Sequence, residues 1–222
     1  MTTEPTTTKT AIVVLGGGLN VASLGEMPSD AFVIAADSGV SLADALGLRV
    51  DVVIGDMDSI NPTALEALAA MGTEIVTHPI DKDATDAELA LLHAAKNGVD
   101  RLLVLGAGGG RLDHQLALFA VLFNDALRPV RIEARLGASR AFPLRDGDTL
   151  SVRCGIGTVV GLIPFGGDAH GVTTTGLQWP LGNESLFSNA SRGISNRATN
   201  DHISVAIASG RLLVTLDEPD SR

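Results

Sequence analysis

The sequence predicts a mixed α/β chain: an N-terminal α/β domain on a mostly parallel sheet, then a C-terminal all-β sandwich or flattened barrel. Three observations carry this. Short apolar runs ending in glycine or aspartate alternate with helical spacing up to about residue 127, the rhythm of βαβ units. From Arg128-Pro129 helical spacing disappears, and short apolar runs separated by Gly, Asp and Pro take over. The chain has 222 residues, 45% of them hydrophobic, enough for one large core or two smaller ones. The expected division is a disordered Thr-rich tail at 1–9, the α/β domain at 10–127 and the β domain at 128–222.

Thr10 to Leu15 is a β-rich run broken by Gly16-Gly17-Gly18. A strand feeding a glycine turn lets bare amides approach a phosphate, which makes Gly17 a candidate contact. The spacing is neither Walker A nor G-x-G-x-x-G, so a simple tight turn stays equally open. Ala31 to Ala36 is the next strand, ending in Asp37-Ser38-Gly39. Ser41 to Leu46 then has helical spacing, with Gly47 as C-cap. Asp37 either caps that helix or faces a ligand from the end of a strand. Val52 to Ile54 is a buried strand closed by Gly55, and Asn61-Pro62 opens a helix with Pro at its first position. Glu74 to Val76 is a short strand, followed by a helix from Ala84 to Ala95. Arg101 to Leu105 leads into Gly106-Ala-Gly-Gly-Gly-Arg-Leu-Asp-His114 and a helix through Phe123. In the β domain, strands are expected at 130–136, 141–144, 149–154, 158–163, 171–175 and 212–216.

The chemistry gathers in two acidic stretches, Asp51-Val-Val-Ile-Gly-Asp-Met-Asp-Ser59 and Asp81-Lys-Asp-Ala-Thr-Asp-Ala-Glu88. In extended backbone Asp56 and Asp58, two apart, lean to the same side. Asp83, Asp86 and Glu88 alone would make a favourable acidic first turn on a helix. Crowding like charge around Lys82 and Thr85 costs energy unless a cation is near. Hard cations such as Mg²⁺ take oxygen ligands and share them with substrate phosphates. Gly108, Gly109, Gly110 and Arg111 form a plausible anion cradle from amides, a helix N-terminus and a two-donor guanidinium. Asp113 and His114 lie on the first turn of that helix, where His114 serves either a local hydrogen bond or catalysis. Trp179, the only tryptophan, is a packing residue or a ligand platform. Ser195-Asn196 reads by itself as a turn.

The net charge of −10 argues against a nucleic-acid surface, since phosphate contacts need Lys and Arg. It is compatible with a cationic small substrate. A lone cysteine, Cys154, rules out an internal disulfide framework, fits a reducing compartment and suits a buried apolar position. The N-terminal stretch lacks the apolar core of a signal peptide, and no apolar run approaches the roughly 18 residues of a membrane span. A cytoplasmic protein is the expectation.

Six blocks in order resemble one family, the thiamine pyrophosphokinases. They are Ala36-Asp-Ser-Gly39, Gly55-Asp-Met-Asp-Ser-Ile60, Asp81 to Glu88, Gly109-Gly-Arg-Leu-Asp-His114, Thr175-Gly-Leu-Gln-Trp179 and Ser195-Asn196. The resemblance runs from about Ala11 to Leu216. It implies a Rossmann-like α/β/α domain and a β domain that together move a diphosphoryl group from ATP to the hydroxyethyl oxygen of thiamine, giving AMP and thiamine diphosphate. It further implies Mg²⁺ and a homodimer with shared active sites. Asp56, Asp58 and Asp86 would hold Mg²⁺ or the metal-bound triphosphate, and Asp37 would line the same cleft. Lys82, Thr85 and the Gly108–Arg111 loop would contact phosphates, with Asp113 and His114 close by. Ser195 and Asn196 would contact thiamine across the dimer interface, with Trp179 on the thiamine side.

Two positions depart from the family pattern. Many bacterial members carry an Asn in the helix after the Asp-His pair, where this chain runs Gln115-Leu-Ala-Leu-Phe119; that predicts one polar contact fewer. Met57 fills a slot often held by Phe, a conservative packing change. The competing readings are a pyrophosphokinase for another hydroxyalkyl acceptor such as a pterin, a Mg²⁺-dependent nucleotide hydrolase, and a non-catalytic sensor. Ser195, Asn196 and the Thr175–Trp179 block speak against the first, and the joint presence of Asp56, Asp58, Asp86 and Lys82 against the last.

Overall fold

The structure is a computed structural model that describes residues 8–20, 24 and 27–217. The expected disordered tail thus falls, through residue 7, outside the described residues. The chain divides into two compact units, Met1–Gly137 and Ala138–Arg222.

Six strands form the sheet of the first unit: β1 (Thr10–Val14), β2 (Phe32–Ala36), β3 (Val52–Gly55), β4 (Glu74–Thr77), β5 (Arg101–Gly106) and β6 (Arg131–Leu136). Their order is β6-β5-β1-β2-β3-β4, and every pairing is parallel. Continuous apolar runs such as Ala11–Val14 and Leu102–Leu105 require cover on both faces, because both sets of alternating side chains avoid water. Helices α1 (Gly39–Ala45) and α2 (Pro62–Ala70) supply Val40, Leu42, Leu65 and Leu68 to a core with Ile12, Val14, Val33, Val53 and Leu105. Helix α3 (Asp86–Lys96) packs on β1, β2 and β3 through Ala90, Leu91 and Ala94. Fully burying a side chain such as Leu91 contributes about 2 kcal/mol. Helix α4 (Leu112–Val121) touches α3 and follows β5.

Local chemistry sets the helix ends. Asn61 Oδ1 accepts the Thr63 N–H at 2.9 Å, with Pro62 in the first turn. Thr85 Oγ1 accepts the Glu88 N–H at 3.2 Å, so α3 begins at Asp86, two residues after the expected start. Helix α1 begins at Gly39, two residues before its expected start; a Cβ there would stand 2.1 Å from the Val14 carbonyl oxygen, so only glycine lets the helix lie this close to β1. Helix α4 stops at Val121, two residues short of Phe123, where Phe123 and Asn124 close tighter turns onto Ala120 and Val121.

The division between the units falls ten residues beyond the expected boundary at 128. The run at 130–136 is β6, whose backbone pairs in parallel register with β5 from Arg131↔Arg101 to Leu136↔Gly106. Parallel pairing with β5 makes it the last strand of the first unit.

The second unit holds β7 (Ser139–Arg145), β8 (Thr149–Arg153), β9 (Val159–Pro164), β10 (Ala169–Thr175), β11 (Glu184–Leu186), β12 (Asn196–Arg197), β13 (His202–Ala206) and β14 (Arg211–Asp217). Antiparallel pairing gives the orders β12-β9-β14-β7 and β11-β10-β13-β8. Phe142, Leu162, Leu212 and Val214 share one core with Val152, Val172, Leu186, Ile203 and Val205 from the other set. Cys154 is buried beside them. Strands β11, β12 and β13 are absent from the sequence expectation. The first two are only three and two residues long, too short for any periodicity to register.

Candidate active site

The strand order reverses at β1: the chain continues to β2 on one side, while β5 returns on the other. In such sheets ligands bind beyond the C-terminal strand ends near the reversal. The candidate residues of the first unit collect along that edge.

The tightest convergence is at Gly55. A Cβ on this residue would stand 3.1 Å from Asp37 Cβ and 3.3 Å from Asp86 Oδ1. The ends of β2 and β3 and the start of α3 therefore meet around one bare Cα. Asp37 is locked to β3 by its N–H, which donates to the Ile54 carbonyl at 2.9 Å, and has a left-handed φ of 42°. It does not cap α1: Ser38 occupies the N-cap position, without a side-chain cap bond. Asp37, Asp56 and Asp58 each place a carboxylate oxygen within 4.8 Å of the others. Asp37 Oδ1 is buried and accepts no hydrogen bond, an arrangement that costs free energy unless a cation or donor meets it.

Asp56 and Asp58 reach this trio by a route other than extended backbone. Met57 between them has a φ of 66°, so the chain turns sharply there. The turn is held by Asp58 N–H donating to Asp56 Oδ1 at 3.3 Å and by Ser59 Oγ donating to Asp58 Oδ1 at 2.9 Å. The Met57 side chain packs against the core of the first unit.

Lys82 lies between Asp56 and Asp86, with Nζ 3.0 Å from Asp56 Oδ2 and 3.1 Å from Asp86 Oδ1. The Lys82 and Asp56 side chains are only 14% and 13% exposed. Burial works to lower the Lys82 pKa, but the two carboxylates outweigh it and hold the ammonium above its usual value. The Lys82 bond, helped by the Asp58 amide, holds Asp56 below the usual aspartate value. Asp86, expected among the metal ligands, lies beside this group with its Oδ1, a buried oxygen otherwise without a hydrogen bond, near the Lys82 ammonium. Asp37 joins Asp56 and Asp58 in the carboxylate trio. Thr85 serves as the cap of α3 through its oxygen.

The two glycine loops meet at the reversal point. Gly18 N–H donates to the Gly108 carbonyl at 2.8 Å, and Gly108 N–H donates back at 3.0 Å. A Cβ on Gly108 would lie 2.3 Å from the Gly18 oxygen and 2.6 Å from Gly137 Cα. Gly108 therefore acts as the clasp between the loops, its amide already engaged. Gly17 sits in the same clasp with a φ of 102°. The open part of the cradle is Gly109 and Gly110, where an added Cβ would meet nothing within 4 Å.

At the start of α4, Arg111 forms a fork with Asp113, Nε to Oδ1 at 3.1 Å and Nη2 to Oδ2 at 2.6 Å. The Arg111 bonds hold Asp113 below its usual pKa, and Asp113 in turn raises that of Arg111. Both are exposed, so the pair orients the guanidinium more than it stabilises the fold. His114 is exposed beside them. Gln115, where the family comparison predicts a missing contact, reaches back to the loop: Nε2 donates to the Gly109 carbonyl at 3.0 Å and the Ala107 carbonyl at 3.3 Å.

In the second unit the expected ligand pair divides its roles. Asn196 is buried, with Oδ1 accepting the Trp179 N–H at 3.1 Å and the Arg197 N–H at 2.9 Å. Its Nδ2 donates to the Trp179 carbonyl at 2.8 Å. Both acceptor positions of the amide oxygen are occupied, so Asn196 holds the backbone of Trp179 in place. Trp179 is 57% exposed, which speaks against a packing role. Ser195 is exposed with a φ of 60°. A separate cavity of about 770 Å³, lined by Met27, Phe32, Leu48 and Asp51 among others, contains none of the candidate residues.

Fold and site together define a class: a doubly wound α/β unit with carboxylates, a lysine and a glycine clasp along its C-terminal strand edge, joined to an antiparallel β unit. Comparison with known proteins narrows it. The family model "Thiamin pyrophosphokinase, catalytic domain" matches residues 26–133, and "Thiamin pyrophosphokinase, vitamin B1 binding domain" matches residues 149–212. Thiamine pyrophosphokinase 1 of Oryza sativa subsp. japonica is 34% identical over 145 residues, covering 62% of this chain and 55% of that protein. Thiamine pyrophosphokinase of Bacillus subtilis is 28% identical over 211 residues, covering 93% of this chain and 97% of the relative. The crystal structure of thiamine pyrophosphokinase from Bacillus subtilis superposes with a TM-score of 0.83 at 24% identity, over 95% of this chain and 100% of that one. The matches to the first three plant relatives span 55 to 65% of their length. The chain belongs to the thiamin pyrophosphokinase family. Among the described residues no helix is long and apolar enough to cross a membrane.

Proposed function

We propose that this chain is a Mg²⁺-dependent thiamine diphosphokinase, transferring the diphosphoryl group of ATP to the hydroxyethyl oxygen of thiamine. The observation that carries the reading is the Asp37, Asp56 and Asp58 trio beside Lys82, in a chain matched by both the catalytic and the vitamin B1 binding models of the family. In this reading the first unit, through Gly137, binds ATP and Mg²⁺, the second, from Ala138, binds thiamine, and a cytoplasmic homodimer is the working form.

The donor set suits Mg²⁺: it is all oxygen, and the buried Asp37 Oδ1 lacks any other partner. Asp37, Asp56 and Asp58 would hold the ion, with Asp86 steadying Lys82 beside it. Mg²⁺, when bound, neutralises charge on the phosphate oxygens. Lys82 is kept protonated by its two carboxylates and serves as a fixed positive charge toward the triphosphate. The Gly109 and Gly110 amides and the Asp113-oriented Arg111 supply donors to the same phosphates. The thiamine hydroxyl attacks the β-phosphorus in line; the new P–O bond forms as the bond to the AMP oxygen breaks, and the hydroxyl proton is released. Positioning and charge neutralisation supply most of the catalysis in such transfers. In the second unit the exposed Trp179 offers a flat face to a cationic ring, with Ser195 beside Asn196 at the start of β12.

The test is AMP formation from ATP and Mg²⁺, with and without thiamine. Thiamine-dependent AMP with equimolar thiamine diphosphate supports the reading. AMP without thiamine makes the protein a hydrolase, ADP makes it a monophosphoryl kinase, and no turnover removes the proposed acceptor.

A further inference from the structure

We propose that Gln115 is a positioning residue that sets the direction of the Gly110 amide and thereby the affinity for the nucleotide triphosphate. The inference rests on the phosphate-cradle reading of the Gly108–Arg111 loop.

The loop backbone is unusual at four of five positions: φ is 106° at Gly106, 54° at Ala107, 77° at Gly109 and 85° at Gly110. Glycine has many backbone conformations open to it, so such a segment keeps one shape only where its peptide groups are tied down. Its first half is tied by backbone: Ala107 N–H donates to the Gly16 carbonyl at 2.8 Å, and Gly108 exchanges two bonds with Gly18. Its second half has no backbone bond from Gly109 or Gly110 N–H among the described residues. The tie there is Gln115 Nε2 on the Gly109 carbonyl at 3.0 Å, with the Ala107 carbonyl at 3.3 Å.

A trans peptide is planar, with its C=O and the following N–H pointing in opposite directions. Holding the Ala107 carbonyl toward Gln115 therefore sends the Gly108 N–H the other way, where it meets Gly18. Holding the Gly109 carbonyl toward Gln115 likewise sends the Gly110 N–H away from the glutamine. That amide donates to nothing among the described residues and lies one residue before Arg111. Without the Gln115 bond, the Gly109–Gly110 peptide has two open neighbours in φ/ψ space and no side chain to restrain it. An anion would then have to order the peptide at the cost of its own binding.

The experiment compares wild type with Gln115→Met, which keeps length and bulk without donors, and Gln115→Glu, which can only accept when ionised. Steady-state kinetics gives KM for ATP and for thiamine, and calorimetry gives Kd for a non-hydrolysable ATP analogue. Amide resonances of ¹⁵N-labelled protein report Gly109 and Gly110 directly. The expected result is a five- to tenfold rise in KM and Kd for nucleotide in the Met variant, roughly the value of one lost hydrogen bond. The KM for thiamine stays within twofold and the melting temperature within a degree or two. The Glu variant is at least as impaired. Nucleotide-induced shifts of Gly109 and Gly110 in wild type, together with unchanged nucleotide affinity in both variants, overturn the role of Gln115 alone. Wild-type resonances that ignore saturating nucleotide overturn the cradle reading itself, and the proposal with it. Equal loss toward both substrates, or a large fall in melting temperature, assigns Gln115 to general structure.

Discussion

Replacing Gly55 with alanine introduces a methyl group 3.1 Å from Asp37 Cβ and 3.3 Å from Asp86 Oδ1. Carbon atoms prefer separations of about 3.5–4.0 Å, so Asp37 has to retreat by roughly 0.4–0.9 Å. It cannot do so freely, because its N–H is bonded to Ile54 at 2.9 Å and its own φ is already left-handed. Overpacking of this kind costs about 1–3 kcal/mol of stability. Misplacing catalytic groups by about 1 Å costs around 100-fold in rate, so the expected loss in kcat/KM is about 10- to 100-fold. The assay is thiamine-dependent AMP release as Mg²⁺ is varied, with thermal melting in parallel. Gly72→Ala is the control: its φ of 90° also disfavours a side chain, but an added Cβ meets nothing within 4 Å. It should lose stability and keep its activity. A Gly55→Ala enzyme with wild-type turnover and wild-type Mg²⁺ dependence refutes the convergence of β2, β3 and α3 on this glycine.

Asp56→Ala and Asp86→Ala should each abolish turnover while the fold survives, measured as AMP release beside a circular dichroism melt; full activity in either sinks its assignment. The Lys82–Asp56 pair predicts a pH dependence of stability. Asp56 titrates below its usual 3.8, so its contribution is present above pH 3.8 and is lost as pH falls through the lower folded value. Lys82 titrates above its usual 10.5, so its contribution is present below pH 10.5 and is lost as pH rises through the higher folded value. Lys82→Met should therefore flatten the fall in urea stability below pH 3.8, and an unchanged acid limb contradicts the pairing. Asn196→Ala removes the bonds to both polar groups of the Trp179 backbone and should cost about 1–3 kcal/mol, with a raised KM for thiamine. Trp179→Ala should raise the KM for thiamine with little change in melting temperature, since the residue is exposed; a large drop in stability would make it a packing residue.

Much of the α/β unit can be read from the chain because its signals are local. The apolar runs at β1, β2, β3 and β5, the Asn61-Pro62 start and the glycine punctuation each report a backbone preference within a few residues. The parallel sheet order agrees with those runs, yet β6 lay on the wrong side of the expected boundary. Its residues look like any β strand, and only pairing with β5 assigns it to the first unit. In the second unit, Ile203 and Val205 alternate inward along β13, a signal that was present; β11 and β12 carry too few residues to show one.

By itself the sequence determined the alternation of elements, the family blocks and the supply of carboxylates, glycines and one lysine at strand ends, since these follow from residue type and short-range spacing. Tertiary structure alone decided which of them meet. It grouped Asp37 with Asp56 and Asp58, set Asp86 against Lys82, joined Gly18 to Gly108, turned Gln115 onto the loop and buried Asn196 under an exposed Trp179. Lys82 and Asp86 are only four residues apart and Gln115 six from Gly109. Asn196, however, lies 17 residues from Trp179, the two glycine loops meet from distant parts of the chain, and Asp58 reaches Asp56 through the left-handed turn at Met57. Distances of that kind are set by the register of the parallel strands and the close approach of bare glycine backbones, which a linear pattern of residue types does not encode.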